Sequence, residues 1–158
     1  KYKFPKAKLS GEYDFSFSGL KTAVLRAVQK EVDVDYNFPS FRLAEKLTEQ
    51  QKNDFAASFQ KIAVETLVDK LEKAVKVYQP TTIVIAGGVA ANMALREELM
   101  NRVANIVPDE IIFTPPEFCT DNAAMVATLG AFHAVLGRSE DPLTAEVFPS
   151  LSMENARW

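Results

Sequence analysis

The sequence predicts an α/β protein in which helices are layered on a sheet. Two observations lead to this class: short segments with strand patterns recur along the chain, and longer segments with helical spacing of apolar residues lie between them. The predicted order is β, α, α, β, α, β, α. Strands that alternate with helices in this way favour a layered structure with right-handed crossovers.

The first predicted strand rests on aromatic alternation. Aromatic residues occupy every second position from Tyr13 to Phe17 with polar residues between them, so residues 13–18 are predicted to form a strand with one aromatic face. Apolar residues at helical spacing then predict a helix near 20–32. Isolated apolar residues among Asp, Asn and Pro predict a loop with a short helical turn over 33–47.

A long helix is predicted in the middle of the chain. Thr48 and Gln51 have the spacing of a capping box, in which a hydroxyl at the cap is paired with Gln three residues later. Apolar residues from Phe55 to Tyr78 then follow one helical stripe. Pro80 predicts that the helix ends just before it.

The second half of the chain alternates strand and helix again. The run TIVIA at 82–86 is continuously apolar, which predicts a strand buried on both faces, as in parallel sheets. A helix near 91–104, a strand at 111–113 and an Ala-rich helix over 121–136 follow, the last with Gly137 at its C′ position. Residues 139–158 show no period and are predicted to form an irregular C-terminal tail.

Composition limits the class of protein. The 158 residues predict one domain over 1–158, and 47% hydrophobic with 25% charged residues is typical of an ordinary globular chain. Eighteen basic and 21 acidic residues give a net charge of −3, which is not the balance of a domain that binds nucleic acid through its own phosphate contacts.

The expected compartment follows from three features of the sequence. No apolar run approaches the roughly 18 residues of a membrane span, and the first residues lack the apolar stretch of a secretory signal. The single cysteine, Cys119, excludes an internal disulfide framework and any Cys-cluster metal site. We therefore expect a cytoplasmic location and no contact with a membrane.

The first candidate site is AGGVAAN at 86–92, between a predicted strand and a predicted helix. Gly87 and Gly88 let a ligand approach the backbone closely, and the N–H groups at a helix start can hold an anion. The pattern matches neither a Rossmann fingerprint nor a Walker A loop, and a tight turn is the alternative interpretation. Asn92 could hydrogen-bond a ribose or a base, or it could cap its helix.

The second candidate site is PPEFCTDN at 115–122. Thr120 or Asp121 could cap the following helix, or Asp121 could be a metal ligand. One carboxylate cannot hold a transition metal alone, and the single histidine, His133, lies roughly 18 Å farther along a helix at 1.5 Å per residue. Any further ligands are therefore expected outside this chain. Cys119 is interpreted as a small buried group rather than a nucleophile.

Three blocks together identify the chain as similar to a known family. DFSFSGLKT at 14–22, AGGVAAN at 86–92 and EFCTDNAAM at 117–125 resemble the TsaD family of tRNA N6-adenosine threonylcarbamoyltransferases. The resemblance runs over essentially the whole chain. Each block alone is modestly specific, and the occurrence of all three in this order is a strong signal.

The resemblance implies an actin-like ATPase fold (ASKHA, ribonuclease H-like), with this chain as an incomplete C-terminal lobe and a mixed sheet flanked by helices. It implies transfer of threonylcarbamoyl from threonylcarbamoyl-AMP to N6 of the adenosine 3′ of the tRNA anticodon. Asn92 matches a residue that contacts the adenylate or ATP, with Gly87 and Gly88 beside it. Asp121 matches a ligand to iron or zinc, which would polarise the carbamoyl carbonyl.

The same resemblance implies partners and a boundary. The substrates are tRNA and threonylcarbamoyl-AMP, and the bacterial partners are the inactive paralogue TsaB and the P-loop ATPase TsaE. The family's metal-binding histidines lie in an upstream half that is not in this sequence. We therefore expect a C-terminal fragment that binds metal weakly, transfers nothing alone and is prone to self-association.

Two other classes of function stay open at this point. One is another actin-like enzyme, such as a kinase or a carbamoyltransferase with a different acceptor. The other is a non-catalytic partner subunit. The family's older label, O-sialoglycoprotein endopeptidase, gains little support, because the residues present do not form a complete hydrolytic site.

Overall fold

The computed structural model describes most of the chain: residues 1–7, 11–107, 109–138, 141–144, 146, 148–150 and 152. The chain divides into two compact units, Lys1–Cys119 and Thr120–Trp158. The predicted single domain over 1–158 stays a prediction. Part of the predicted tail at 139–158 lies outside the described residues, and those described there contain no helix or strand.

The observed elements confirm the α/β class. The first unit contains α1 Ser18–Glu31, α2 Leu43–Lys46, α3 Glu49–Tyr78, β1 Thr82–Ile85, α4 Met93–Arg102 and β2 Glu110–Phe113. The second unit contains α5 Ala123–Val135. Short 3₁₀ turns lie at Ser40–Arg42, Gly88–Ala91, Ala104–Ile106 and Pro116–Phe118.

The predicted strand at 13–18 is wrong. Residues 11–17 contain no strand, and α1 begins at Ser18. A strand requires a neighbour to satisfy its backbone groups, and the two described strands pair with each other instead. The aromatic residues pack without such pairing: the Tyr13 ring lies 5.6 Å from that of Tyr78, and Phe15 lies 5.7 Å from Phe17.

The sheet is a parallel pair joined through α4. Its register runs from Thr82 opposite Glu110 to Ile85 opposite Phe113, which confirms the predicted parallel arrangement. One face packs against the core beneath α3 and α4. On the other face Val84 is 61% exposed and its partner Ile112 is 42% exposed, so the prediction that this strand is buried on both faces is wrong.

Helix α3 contributes to two separate hydrophobic clusters. Its C-terminal half supplies Val64, Val68 and Val75 to a core that also contains Ile83 of β1 and residues of α4. Its N-terminal half supplies Phe55, which packs with residues of α1 and α2 and stacks against the ring of Tyr2 at 3.8 Å. The 30-residue helix therefore connects the α1–α2 region to the sheet.

Both ends of α3 follow the predicted signals. Gln51 N–H donates to Thr48 Oγ1 at 3.2 Å, and Thr48 N–H donates to Gln51 Oε1 at 2.9 Å, which is the predicted capping box. At the other end Gln79 adopts a left-handed conformation (φ 47°, ψ 53°) just before Pro80. Within the described ranges, no helix is both long and apolar enough to cross a membrane.

An ion-pair network ties α3 to α4. Arg102 reaches Asp69 at 2.9 Å and also hydrogen-bonds Glu72. Hydrogen bonds from Lys76 and Arg102 lower the pKa of the Glu72 carboxyl. Partial burial acts to raise the pKa of Asp69, but hydrogen bonds from Lys6 and Arg102 outweigh it and lower that pKa as well. Folding therefore favours the ionised carboxylates.

This network predicts a pH-dependent contribution to stability. A carboxyl whose pKa is lowered by folding stabilises the fold fully above its unfolded pKa of about 4, and this contribution is lost as the pH falls below that value. Arg102→Met should therefore lower the free energy of unfolding at pH 7 by up to about 1 kcal/mol, and by less near pH 3. Urea titrations at both pH values measure the difference.

The matched control is Arg42→Met, because the ion pair of Arg42 with Glu45 at 3.8 Å is exposed and its guanidinium lies a distant 5.9 Å from the ring centre of Phe38. It should change the stability little at either pH. An equal loss at pH 7 and pH 3 for Arg102→Met would contradict the electrostatic explanation.

Candidate functional site

Two loops meet at the carboxyl edge of the sheet. Parallel strands end at the same edge, and ligands of open α/β sheets bind there. The turn Gly88–Ala91 follows β1, and the turn Pro116–Phe118 follows β2. Thr114 N–H donates to the Ile85 carbonyl at 3.0 Å, so the two chain segments are still paired where the strands end. Within the first unit, the fold therefore brings the segment 86–92 close to the part of the second segment that ends at Cys119.

The turn after β1 depends on Gly87. Its φ of 88° and ψ of 168° lie in a region that only glycine adopts without strain. An added Cβ would meet nothing within 4 Å, so the constraint is the backbone conformation and not the space. Ala90 N–H donates to the Gly87 carbonyl at 2.9 Å and closes the turn. Gly88 starts the 3₁₀ turn, and both glycines are exposed.

Asn92 caps α4, as one of its two predicted roles requires. Its Oδ1 accepts from Leu95 N–H at 3.1 Å. Its Nδ2 donates to Oε1 of Gln60 on α3 at 3.3 Å, a long bond near solvent. The Oδ1 atom of Asn92 is therefore occupied by the helix cap. Its Nδ2 could donate to a ligand instead of to Gln60.

The loop after β2 holds a buried thiol. Cys119 is 3% exposed, and its Sγ lies 3.4 Å from the carbonyl oxygens of Thr114 and Pro115. These contacts place the thiol inside the loop, away from solvent. The interpretation of Cys119 as a small buried group is confirmed.

Sequence reasoning missed Arg96, which lies in the first turn of α4. Its Nε donates to the Ala90 carbonyl at 2.6 Å, and its Nη2 donates to the Thr114 carbonyl at 2.5 Å. The guanidinium also lies 5.3 Å from the ring centre of Phe113. One signal could have found it: a cation near a helix N-terminus opposes the helix dipole and needs a local reason.

Asp121 lies in the second unit and is exposed. The cap of α5 is Asn122, whose Oδ1 accepts from Met125 N–H at 3.1 Å and whose Nδ2 donates to the Thr120 carbonyl at 2.8 Å. The expectation that Thr120 or Asp121 caps this helix is therefore wrong. Asp121 is left without a capping function.

The described side chains do not complete a metal site. Among them, no three His, Cys, Asp or Glu residues lie close enough together to hold an ion. Structural and catalytic iron or zinc sites use three or four protein ligands. His133 is half-buried on α5, about three turns along the helix from its start. Asp121 alone therefore does not fit a complete iron or zinc site.

The fold and the edge geometry define an α/β protein with a glycine turn at the carboxyl edge of a parallel sheet. A sequence model of the family described as TsaD, tRNA N6-adenosine threonylcarbamoyltransferase, matches residues 1–128. The chain belongs to this family. Its helix-rich architecture with a small parallel sheet agrees with part of an actin-like lobe.

Curated relatives carry the same description. A tRNA N6-adenosine threonylcarbamoyltransferase of Carboxydothermus hydrogenoformans is 42% identical over 160 aligned positions, covering 99% of this chain. One of Thermosipho africanus is 46% identical over 156 positions, covering 97% of this chain. In both comparisons the alignment covers 42% of the relative's own length, so the chain spans about two fifths of these proteins.

The backbone of the turn after β1 generates a prediction. Gly87→Ala should lower the free energy of unfolding by about 1–3 kcal/mol, because any L side chain is strained at this conformation. Gly19→Ala is the matched control: Gly19 is helical with open space around its added Cβ, so the change should be neutral or raise stability by up to about 1 kcal/mol. Chemical denaturation measures both, and equal effects would contradict the assignment.

Proposed function

We propose that this chain forms part of a tRNA N6-adenosine threonylcarbamoyltransferase. The observation that carries the proposal is the family match over residues 1–128, which includes the turn after β1 and the loop after β2. The reaction assigned is transfer of threonylcarbamoyl from threonylcarbamoyl-AMP to N6 of the adenosine 3′ of the tRNA anticodon. This specific match favours the transferase over an actin-like kinase.

The turn after β1 is proposed to contact the adenylate. Gly87 and Gly88 leave the backbone uncovered at the carboxyl edge, where ligands of such sheets bind. Asn92 would offer its Nδ2 as a hydrogen-bond donor, since its Oδ1 is held by the helix cap. A donor requires an acceptor on the ligand, such as a ribose, phosphate or ring-nitrogen atom. ATP presents the same acceptors.

Asp121 is proposed as one ligand to iron or zinc. A carboxylate oxygen is a suitable ligand for either ion, but a stable site needs at least two more protein ligands. Among the described residues, Asp121 does not belong to any group of three or more His, Cys, Asp or Glu side chains that could hold a metal ion. Within this chain, the role of Asp121 is therefore limited to supplying one carboxylate. Contacts with tRNA, TsaB and TsaE, self-association and a cytoplasmic location stay predictions.

The adenylate assignment predicts that capping and ligand binding by Asn92 can be separated. Asn92→Asp keeps a good helix cap, so the free energy of unfolding should change by less than about 0.5 kcal/mol. It replaces the donor with a negative charge, so the affinity for AMP or ATP should fall at least about tenfold, which is 1.4 kcal/mol. Calorimetric titration of the folded chain with each nucleotide gives the affinities.

Two further variants control this experiment. Asn92→Ala should lose both the cap, at about 1 kcal/mol of stability, and the nucleotide affinity. Gln60→Ala removes the internal acceptor and should leave the affinity unchanged or raise it, since a ligand no longer competes with Gln60. Wild-type affinity in Asn92→Asp would contradict the contact.

The metal assignment predicts weak binding by this chain. Titration with Zn²⁺ or Fe²⁺ should show no tight one-to-one site, because one exposed carboxylate offers too few ligands. Asp121→Asn should change this weak binding by less than about twofold, with Asp109→Asn as a matched exposed carboxylate. Stoichiometric binding that Asp121→Asn abolishes would overturn the view that the chain lacks the remaining ligands.

A further inference from the structure

Arg96 connects the two loops at the carboxyl edge of the sheet. We propose that Arg96 is a positioning residue that holds the turn after β1 and the loop after β2 in one fixed relation, so that a nucleotide bound at the turn also tightens the loop. The two hydrogen bonds to Ala90 and Thr114 carry this inference. It rests on the proposed function for the identity of the nucleotide.

The guanidinium is suited to this task by its shape. It presents several N–H donors in a planar fork, and here two of its nitrogens bond carbonyls that belong to different loops. A lysine ammonium is a point charge on a flexible stem and lacks this fixed fork. Bonds from a cation to a carbonyl are also shorter and stronger than neutral ones.

The base of the side chain is rigidly placed. Leu95, its neighbour in α4, is 5% exposed, and Leu99, one turn later, is 1% exposed, so both anchor the helix in the core. The cation gains nothing from its position in the helix, because the dipole disfavours positive charge near the N-terminus. The carbonyls of Ala90 and Thr114 and the ring of Phe113 account for its presence there.

Each bonded carbonyl fixes a peptide plane close to a candidate residue. The Ala90 carbonyl belongs to the peptide that precedes Ala91, and the next residue is Asn92. The Thr114 carbonyl also lies 3.4 Å from the thiol of Cys119, and Arg96 Nη2 lies 3.6 Å from the same sulfur. Loss of the guanidinium should therefore loosen both the turn and the packing of Cys119.

Cys119 provides the test, because it is the single cysteine of the chain and it is buried. Its labelling rate with a thiol reagent measures opening of the loop after β2. We expect Arg96→Lys to raise this rate at least tenfold. Gly87→Ala, which strains the turn on the other side of Arg96, should raise it several-fold, and the double variant should label no faster than Arg96→Lys.

The control is Val103→Ala, which forms a cavity in the buried core at the end of α4. It is compared with Arg96→Lys under conditions in which both variants have the same free energy of unfolding. It should leave the labelling rate near that of the wild type. The proposal is overturned if Val103→Ala accelerates labelling as much as Arg96→Lys does. It is also overturned if Gly87→Ala has no effect or if the effects of Gly87→Ala and Arg96→Lys simply multiply.

A second arm separates this proposal from the proposed function. AMP or ATP should slow Cys119 labelling several-fold in the wild type, and Arg96→Lys should weaken nucleotide affinity at least tenfold and abolish the protection. If the wild type binds neither nucleotide, the adenylate assignment fails, while the labelling cycle still decides the role of Arg96. Nucleotide binding without protection of Cys119 overturns the coupling alone.

Discussion

The packing of α3 is the constraint on which the first unit depends. This helix buries Val68 and Val75 against β1 and α4, and it buries Phe55 against α1 and α2. The strands of a sheet pair edge to edge and cannot cover its face, so the inner face of this two-stranded sheet must pack against another layer. The long helix supplies that cover and places the sheet and α4 on the same framework as the N-terminal helices.

The position of the candidate site follows from this arrangement. The parallel pairing of β1 and β2 brings the ends of both strands to one edge, and the buried leucines of α4 fix the helix that starts there. Arg96 joins the two loops through hydrogen bonds to the carbonyls of Ala90 and Thr114. Glycine is required at position 87 because the strand turns there through a backbone conformation that strains any L side chain.

Local signals predicted the parts of the fold that local interactions determine. The capping box at Thr48 and the left-handed glycine at Gly137 depend on neighbouring residues, and both were confirmed. Gly137 N–H donates to the Ala134 carbonyl at 3.1 Å, as expected at a C′ position. Such motifs are readable because their donors and acceptors are a few residues apart.

Sequence patterns whose structure depends on distant partners led to wrong predictions. The alternation from Tyr13 to Phe17 is compatible with a strand, but whether it forms one depends on a neighbouring backbone that no local pattern specifies. Thr120, Asp121 and Asn122 are all residue types that cap helices well. Asn122 is the cap because α5 begins at Ala123, directly after it. Arg96 could not be singled out from the sequence, because its carbonyl partners lie in two loops that meet only through the parallel pairing of the strands.

The two candidate residues differ in how much of their chemistry this chain contains. Asn92 is positioned at the start of α4. Its Oδ1 accepts from the helix, which directs its Nδ2 outward as a donor, so its hydrogen-bonding capacity follows from the first unit alone. Asp121 has no comparable framework, because a ligand acquires its function from the other ligands around the ion. An exposed carboxylate is stable in water without any such function. The proposed nucleotide contact of Asn92 can therefore be tested on this chain alone, whereas the proposed metal contact of Asp121 has to be tested together with further ligands.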